Sequence, residues 1–252
     1  MIRVIIFVML LLINLSINAQ AIITDRPDQT ESSSTVPKGS FQIETGVLFG
    51  SSKSEGISLR QTLAPSTLFR YGITKGIELR LVNQFESIKN KTSSEKVNGI
   101  SDLEIGTKFQ IFQRKDVNTE IAFLTHLILP TGTKELTIDR LGTINKLSIS
   151  HSISEKVGIG YNIGYDYFGV GKGNLTYSVA LGIGINNKIG VYLEPYGNLI
   201  DLDQHEASFD AGITYLVKDN FQLDVSFGTG LNHTMNYFSV GASINISKTE
   251  KE

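Results

Sequence analysis

The feature that most limits the fold of this chain is a pair of alternating segments joined by one polar turn, within residues 99–132. In the first segment polar residues alternate with Leu103, Ile105, Thr107, Phe109 and Ile111, the period of two that places successive side chains on opposite faces of a strand. The second segment, after a turn at 113–118, alternates less cleanly because Leu124 and Ile128 interrupt its pattern. Each segment is about ten residues long, as a tilted membrane-crossing strand requires, whereas strands of soluble sheets usually have about five or six.

The same alternation recurs along the rest of the chain. It marks further segments at 41–50, 58–71, 77–86, 146–153, 157–168, 174–185, 189–198, 207–217, 221–228 and 236–246. Pro65 lies inside the second of these and predicts a bulge, because proline cannot donate to a strand ladder. Short polar turns alternate with longer links, as in a barrel with periplasmic turns and external loops. The sequence therefore predicts an all-β fold, a transmembrane antiparallel up-and-down β-barrel of about 12 strands.

Aromatic residues lie near the strand ends, which separates this prediction from a soluble sandwich. Residues such as Phe41 and Tyr71 lie near the short turns, whereas Phe49 and Phe85 lie near the long links. Aromatic girdles at the two membrane interfaces have this distribution. A soluble sandwich would instead concentrate its aromatic side chains mid-strand in the core.

The N-terminus predicts export. Arg3 precedes an apolar run of about ten residues and a small residue, Ala19, the pattern of a secretory signal peptide. The predicted organisation is a signal peptide at 1–19, an irregular N-terminal arm or plug at 20–40, a β-barrel at 41–247 and a polar tail at 248–252. The predicted location is the bacterial outer membrane.

Composition excludes several classes of function. The chain of 252 residues has no Cys and a formal net charge of −2. It therefore offers no disulfide framework, no Cys-ligated zinc and no basic surface for nucleic acid. Neither a Gly-x-Ser-x-Gly turn nor a His-Glu-x-x-His helix is present. We expect no metal, no cofactor and no enzymatic activity, although Asp203 and His205 in one loop could form a surface acid–base group.

The alternation also places charged residues on the inner face. The residues that we expect to line the lumen are Glu44, Arg60, Arg70, Glu78, Arg80, Asp102, Glu104, Lys108, Glu120, Glu194, Asp210 and Asp224. They could form a structural ion-pair network or a constriction that selects solutes by charge. Because acids outnumber bases, an open lumen should prefer cations. Small inward residues in the segments at 157–168 and 174–185 predict open volume beside them.

The segment before the first strand carries charges of its own. These are Asp25, Arg26, Asp28 and Glu31. A plug folded into the periplasmic mouth would give them lumen partners, whereas a solvated leader would not need any. The sequence leaves both interpretations open.

Several motifs resemble one bacterial outer-membrane family. TDRPDQTESS, VPKG and FQIETG near the N-terminus, followed by RYGITKGIELRL, GISDLEIGTKFQIF and LPTG, are similar to the family of putative MetA-pathway of phenol degradation proteins. The resemblance extends over essentially the whole mature chain. It implies an outer-membrane barrel of the kind often labelled a transporter, and no residue here indicates aromatic chemistry.

These observations predict an outer-membrane channel or transporter for small solutes, hydrophobic or aromatic ones among them. The expected partners are outer-membrane lipid and an unidentified small molecule, with no nucleic acid. The alternatives are a closed structural or surface-recognition barrel and, less favoured, an outer-membrane barrel enzyme.

Overall fold

The computed structural model describes residues 21–114 and 116–247 as an all-β structure. The predicted signal peptide and polar tail lie outside these residues. The strands are β1 (Phe41–Ser54), β2 (Ile57–Thr74), β3 (Ile77–Asn90), β4 (Lys96–Ile100), β5 (Leu103–Gln113), β6 (Thr119–Leu129), β7 (Gly142–Ser152), β8 (Val157–Tyr167), β9 (Asn174–Gly184), β10 (Ile189–Ile200), β11 (Gln204–Lys218), β12 (Phe221–Gly230) and β13 (Thr234–Ile246). No helix in the described residues is long and apolar enough to cross a membrane.

Pairing between consecutive strands closes the sheet on itself. β1 pairs with β13 as well as with β2, and β2 pairs with β3, all antiparallel. β4 and β5 pair with successive parts of β3, so they are two halves of one wall strand interrupted at Ser101 and Asp102. The thirteen segments therefore form a closed barrel of 12 strands, which confirms the predicted fold class.

The two faces of the barrel are opposite in character to those of a soluble protein. Large apolar side chains such as Ile105, Leu193 and Ile213 are exposed on the outside. Charged and polar side chains such as Glu78 and Lys108 are buried inside. This inversion is stable only where the outer solvent is lipid, which explains the alternating pattern of the sequence.

β1 and β3 each extend four residues beyond their predicted bounds on the long-loop side, whereas β2 extends one residue there and three toward the short turn. The three strands have 14, 18 and 14 residues, and two hairpins project on the long-loop side. The first turns at Glu55 and Gly56, both with positive φ, which is the two-residue turn that suits the twist of paired strands.

The prediction that Arg60 lines the lumen is wrong, because β2 contains a bulge. The register of β2 with β1 and β3 shifts around Pro65, where β2 carries an extra residue. Alternation therefore changes phase between Arg70 and Arg60. Arg70 is buried inside the barrel, but Arg60 is exposed and pairs in register with Lys89 on the outer face. Arg60 does not line the lumen because an extra residue reverses the face of every residue beyond it.

Candidate functional site

The described part of the N-terminal arm, residues 21–40, runs through the barrel interior. Its backbone bonds to the periplasmic side at both ends, where Ile22 N–H donates to the Asp219 carbonyl and Lys38 bridges to Gly72 of β2. A Cβ on Gly72 would lie 2.1 Å from the carbonyl oxygen of Pro37. Only glycine allows the arm to approach the wall this closely.

A buried ionic centre fixes the first part of the arm. The Asp25 carboxylate lies 2.6 Å from the Arg80 guanidinium, 2.9 Å from the Lys108 ammonium and 3.2 Å from the Arg70 guanidinium. Although burial raises it, the Arg70, Lys108 and Arg80 cations hold the pKa of the Asp25 carboxyl well below its usual range. The arm thus supplies a negative charge that partly neutralises the buried cations of the wall.

Further carboxylates complete this centre. Glu31 of the arm lies 2.7 Å from Arg80. From the wall itself, Glu78 lies 2.9 Å from Arg70 and 2.8 Å from Arg80, and Glu44 lies 2.9 Å from Arg70. Each cation thus contacts several acceptors, as buried charges require.

Arg26 continues the arm toward the opposite wall. Its guanidinium lies 2.9 Å from Asp224 on β12 and donates to the Ser239 hydroxyl on β13. Inward glycines make room for it, since a Cβ on Gly241 would lie 2.3 Å from the Arg26 Nη2 and one on Gly46 would lie 2.6 Å from it. The wall is therefore shaped to this side chain.

A second set of contacts is formed by acidic residues on β10 and β11. Glu194 accepts from the Gln29 backbone N–H at 2.7 Å and from the Thr30 hydroxyl. Asp210 is opposite Glu194 in the register and accepts from the Tyr237 hydroxyl. In the described chain no basic group lies within 4.0 Å of either carboxylate. This wall holds the arm through neutral donors.

Asp28 of the arm is half-buried beside these acids. Burial and the nearby Glu194 carboxylate raise its pKa well above the usual value. The arm therefore carries one carboxyl that favours its docked position, Asp25, and one that opposes it when ionised, Asp28.

Serines tie the last part of the arm to β6 and β7. The Ser34 hydroxyl donates to Glu120 at 2.8 Å, and the Ser33 and Ser150 hydroxyl oxygens are 2.5 Å apart. These contacts place Glu120, like the acids above, on the inner face.

His126 and Glu104 lie on the inner face above the ionic centre. The Arg80 Nε donates to the His126 Nε2 at 3.0 Å, and His126 Nδ1 lies 2.8 Å from Glu104. The sequence pattern did not show which face of β6 points inward, because apolar residues lie on both faces. Leu124 and Ile128 point inward with His126, and Leu124 is only 1% exposed.

Asp102 has a different place from the one expected. It lies at the break between β4 and β5 and accepts from the backbone N–H groups of Gly132 and Ile138. Asp102 thus holds the loop between β6 and β7, to which Gly132 and Ile138 belong.

The arm leaves separate cavities on its two sides. A cavity of about 370 Å³ opens toward the external loops and is lined by Gln29, Tyr177, Tyr196, His233 and Met235, among others. On the periplasmic side, cavities of about 460 and 270 Å³ lie against Gly158 and Gly182. The small inward residues of β8 and β9 thus border open volume, as the sequence predicted.

Among the described residues, no carboxylate lies within 4.0 Å of the loop histidine considered for acid–base chemistry, His205. The His205 Nε2 lies 2.8 Å from the Tyr177 hydroxyl, and its ring stacks on that tyrosine. Across the described residues, no group of His, Asp or Glu is arranged to hold a metal ion.

The matching family model agrees with this architecture. The family described as "Putative MetA-pathway of phenol degradation" matches residues 24–247, which include most of the arm and all of the barrel. The chain belongs to this family. Among curated protein sequences, none matches.

Several solved structures have a similar fold. The COG4313 outer-membrane channel from Pseudomonas putida F1 is similar with a TM-score of 0.74 at 11% identity, over 87% of this chain and 100% of that one. A KdgM porin in complex with disordered oligogalacturonate gives 0.57 at 9% identity, over 81% and 98%. The transport unit of the autotransporter AIDA-I from Escherichia coli gives 0.50 at 11% identity, over 90% and 94%. The chain therefore has the fold of these membrane barrels.

Proposed function

We propose that this protein is a narrow outer-membrane channel for small solutes and that its N-terminal arm is a movable plug. Export through a signal peptide at 1–19 would bring it to the membrane. Its similarity to a channel and a porin supports transport rather than catalysis.

The observation that carries this proposal is the division of the interior by the arm. The cavity of about 370 Å³ on the external side of the arm and the cavity of about 460 Å³ on its periplasmic side are each large enough for a small molecule. The arm between them bonds to the wall through ion pairs and hydroxyl contacts, without pairing as a strand of the barrel. Between its two backbone-bonded ends the arm contacts side chains of the wall and adds no strand to the barrel, so this part can leave its site without opening the barrel wall.

The lining of the outer cavity supports a mixed solute class. Tyr177, Tyr196 and Met235 offer apolar and aromatic contact, while Asn162 and Asp166 offer hydrogen-bonding groups. A small solute with an apolar or aromatic part and a polar group would use both kinds of contact.

A disulfide lock tests whether the arm must move. Because the chain has no Cys, Ser33→Cys with Ser150→Cys introduces one defined pair, whose hydroxyl oxygens are now 2.5 Å apart. Disulfide sulfurs bond at about 2.0 Å, so little movement is needed to form the bond. In planar bilayers the oxidised variant should conduct far less than the reduced one, because the arm cannot leave the lumen.

Thr45→Cys with Thr67→Cys is the matched control. These threonine hydroxyls lie 2.8 Å apart on β1 and β2 and do not contact the arm, so their disulfide should leave conductance unchanged. Equal conductance of the locked and reduced arm would contradict a moving plug. Silence of the reduced and unmodified proteins would instead favour the closed structural barrel.

A further inference from the structure

A row of cations crosses the outer face of the projecting hairpins. Arg60 on β2 is directly opposite Lys89 on β3, and Lys89 is directly opposite Lys96 on β4. Residues in register share one face of a sheet, so all three side chains point away from the barrel. Lys53 and Lys91 flank the row, and all five residues are exposed.

The row has no internal counter-charge. Like charges directly opposite each other destabilise a sheet, yet in the described chain no carboxylate lies within 4.0 Å of these five cations. The Arg60 guanidinium, with smaller contributions from desolvation and from Lys89, lowers the pKa of Lys91. The cations are therefore close enough together to lower the pKa of one of their own members. An anion bound to this surface would reduce their mutual repulsion.

The position of the row along the membrane normal indicates which anions are close enough to bind it. Phe49, Phe85 and Ile100 are 53%, 44% and 48% exposed on the same face and belong to the apolar girdle of the long-loop side. Arg60 is opposite Ser51, two residues beyond Phe49, which is about 7 Å along the strand. The polar headgroup layer extends about 5 to 7 Å beyond each side of the hydrocarbon core, so the row lies at the level of the headgroups.

We propose that this row, Arg60, Lys89 and Lys96 with Lys53 and Lys91 at its sides, binds the phosphorylated headgroups of lipid in the outer leaflet. Short turns of outer-membrane barrels face the periplasm and long loops face out, so the row meets the outer leaflet. Guanidinium and ammonium groups are the usual partners of phosphate. A soluble acidic partner fits less well, because the row points sideways into the lipid layer instead of outward from the loop tips.

Binding of lipid A to the folded mature chain in neutral detergent tests this proposal by native mass spectrometry. Arg60→Gln with Lys89→Gln and Lys96→Gln should weaken the affinity for lipid A by at least about tenfold, given the attraction of each cation near an anionic surface. Dephosphorylated lipid A should bind the wild type as weakly as it binds this variant. Lys89→Arg with Lys96→Arg, which keeps the charges, should retain binding.

Lys75→Gln with Lys156→Gln and Lys188→Gln is the matched control, since these exposed lysines lie in the periplasmic turns. It removes the same charge at the opposite end and should leave the affinity within about twofold. Equal losses in the two triple variants would overturn the proposal. So would full binding of the dephosphorylated lipid, or displacement of lipid A by inorganic phosphate at equal concentration, which would indicate a general anion surface.

Discussion

Asp25 brings one carboxylate into contact with three buried cations, and Asp28 places another beside Glu194. The two residues lie three positions apart in the same arm, yet the wall shifts their pKa values in opposite directions. Cations that line one side of the lumen and acids that line the other cause this difference. The balance between them sets how firmly the arm docks.

Asp25→Asn should loosen the arm and Asp28→Asn should tighten it at neutral pH. Removing one partner of a buried ion pair costs about 3 to 5 kcal/mol, so deuterium exchange of residues 24–36 should rise strongly in the first variant. In the second it should fall, because an uncharged amide removes repulsion from Glu194. Each variant is the charge-matched control of the other.

The pH dependence has a defined sign for each residue. Since docking lowers the pKa of Asp25, its contribution is present above the ordinary value of about 4 and is lost as the pH falls through the lowered pKa. Since docking raises the pKa of Asp28, its ionisation opposes docking as the pH rises above about 4. Exchange that is unaffected by either substitution would contradict the assigned ionic contacts.

β5 has one face that contacts lipid and one face that carries buried charge. Lys108 is fully buried inside, whereas Ile105 is 45% exposed outside. Ile105 is opposite Leu81, midway along β3 between the girdle residue Phe85 and Ile77, which is opposite Phe109 near the short turns. Its side chain therefore lies near the middle of the membrane.

Ile105→Arg should cost about 2 to 4 kcal/mol of folding free energy in lipid vesicles, because an arginine near the midplane must leave water. Ile57→Arg is the control: Ile57 is 47% exposed, much as Ile105 is, but lies at a hairpin tip beyond the girdle. Its cost should be near zero in the same denaturant titration. Equal costs at the two positions would contradict the membrane level assigned to β5.

Strand alternation was sufficient to predict the barrel, its approximate strand number and most inward charges, since period and face are local properties of the chain. It failed for Arg60, because an extra residue at the Pro65 bulge is invisible to a strict period of two. It left β6 unresolved because Leu124 points inward. The partners of Asp25 and Glu31 could not be predicted, since these contacts join residues far apart in sequence.

The whole molecule separates charge across its lumen. Cations of β2, β3 and β5 are neutralised by the arm and by neighbouring acids. Glu194 and Asp210 are fully buried beside the arm and accept only from neutral donors. A solute path past the arm would run along the small residues of β8 and β9, close to this acidic wall. The interior should therefore favour cations over anions.

The reversal potential across a salt gradient tests most directly whether solutes pass through this interior. The wild type should prefer cations, and Glu194→Gln with Asp210→Asn should reduce that preference, more clearly at 0.1 M salt, where the Debye length is about 10 Å, than at 1 M. Asp139→Asn with Asp219→Asn, which removes two exposed loop carboxylates, should leave it unchanged. Anion preference in the wild type, or equal reversal potentials in the wild type and the Glu194 and Asp210 variant, would contradict a channel lined by this acidic wall.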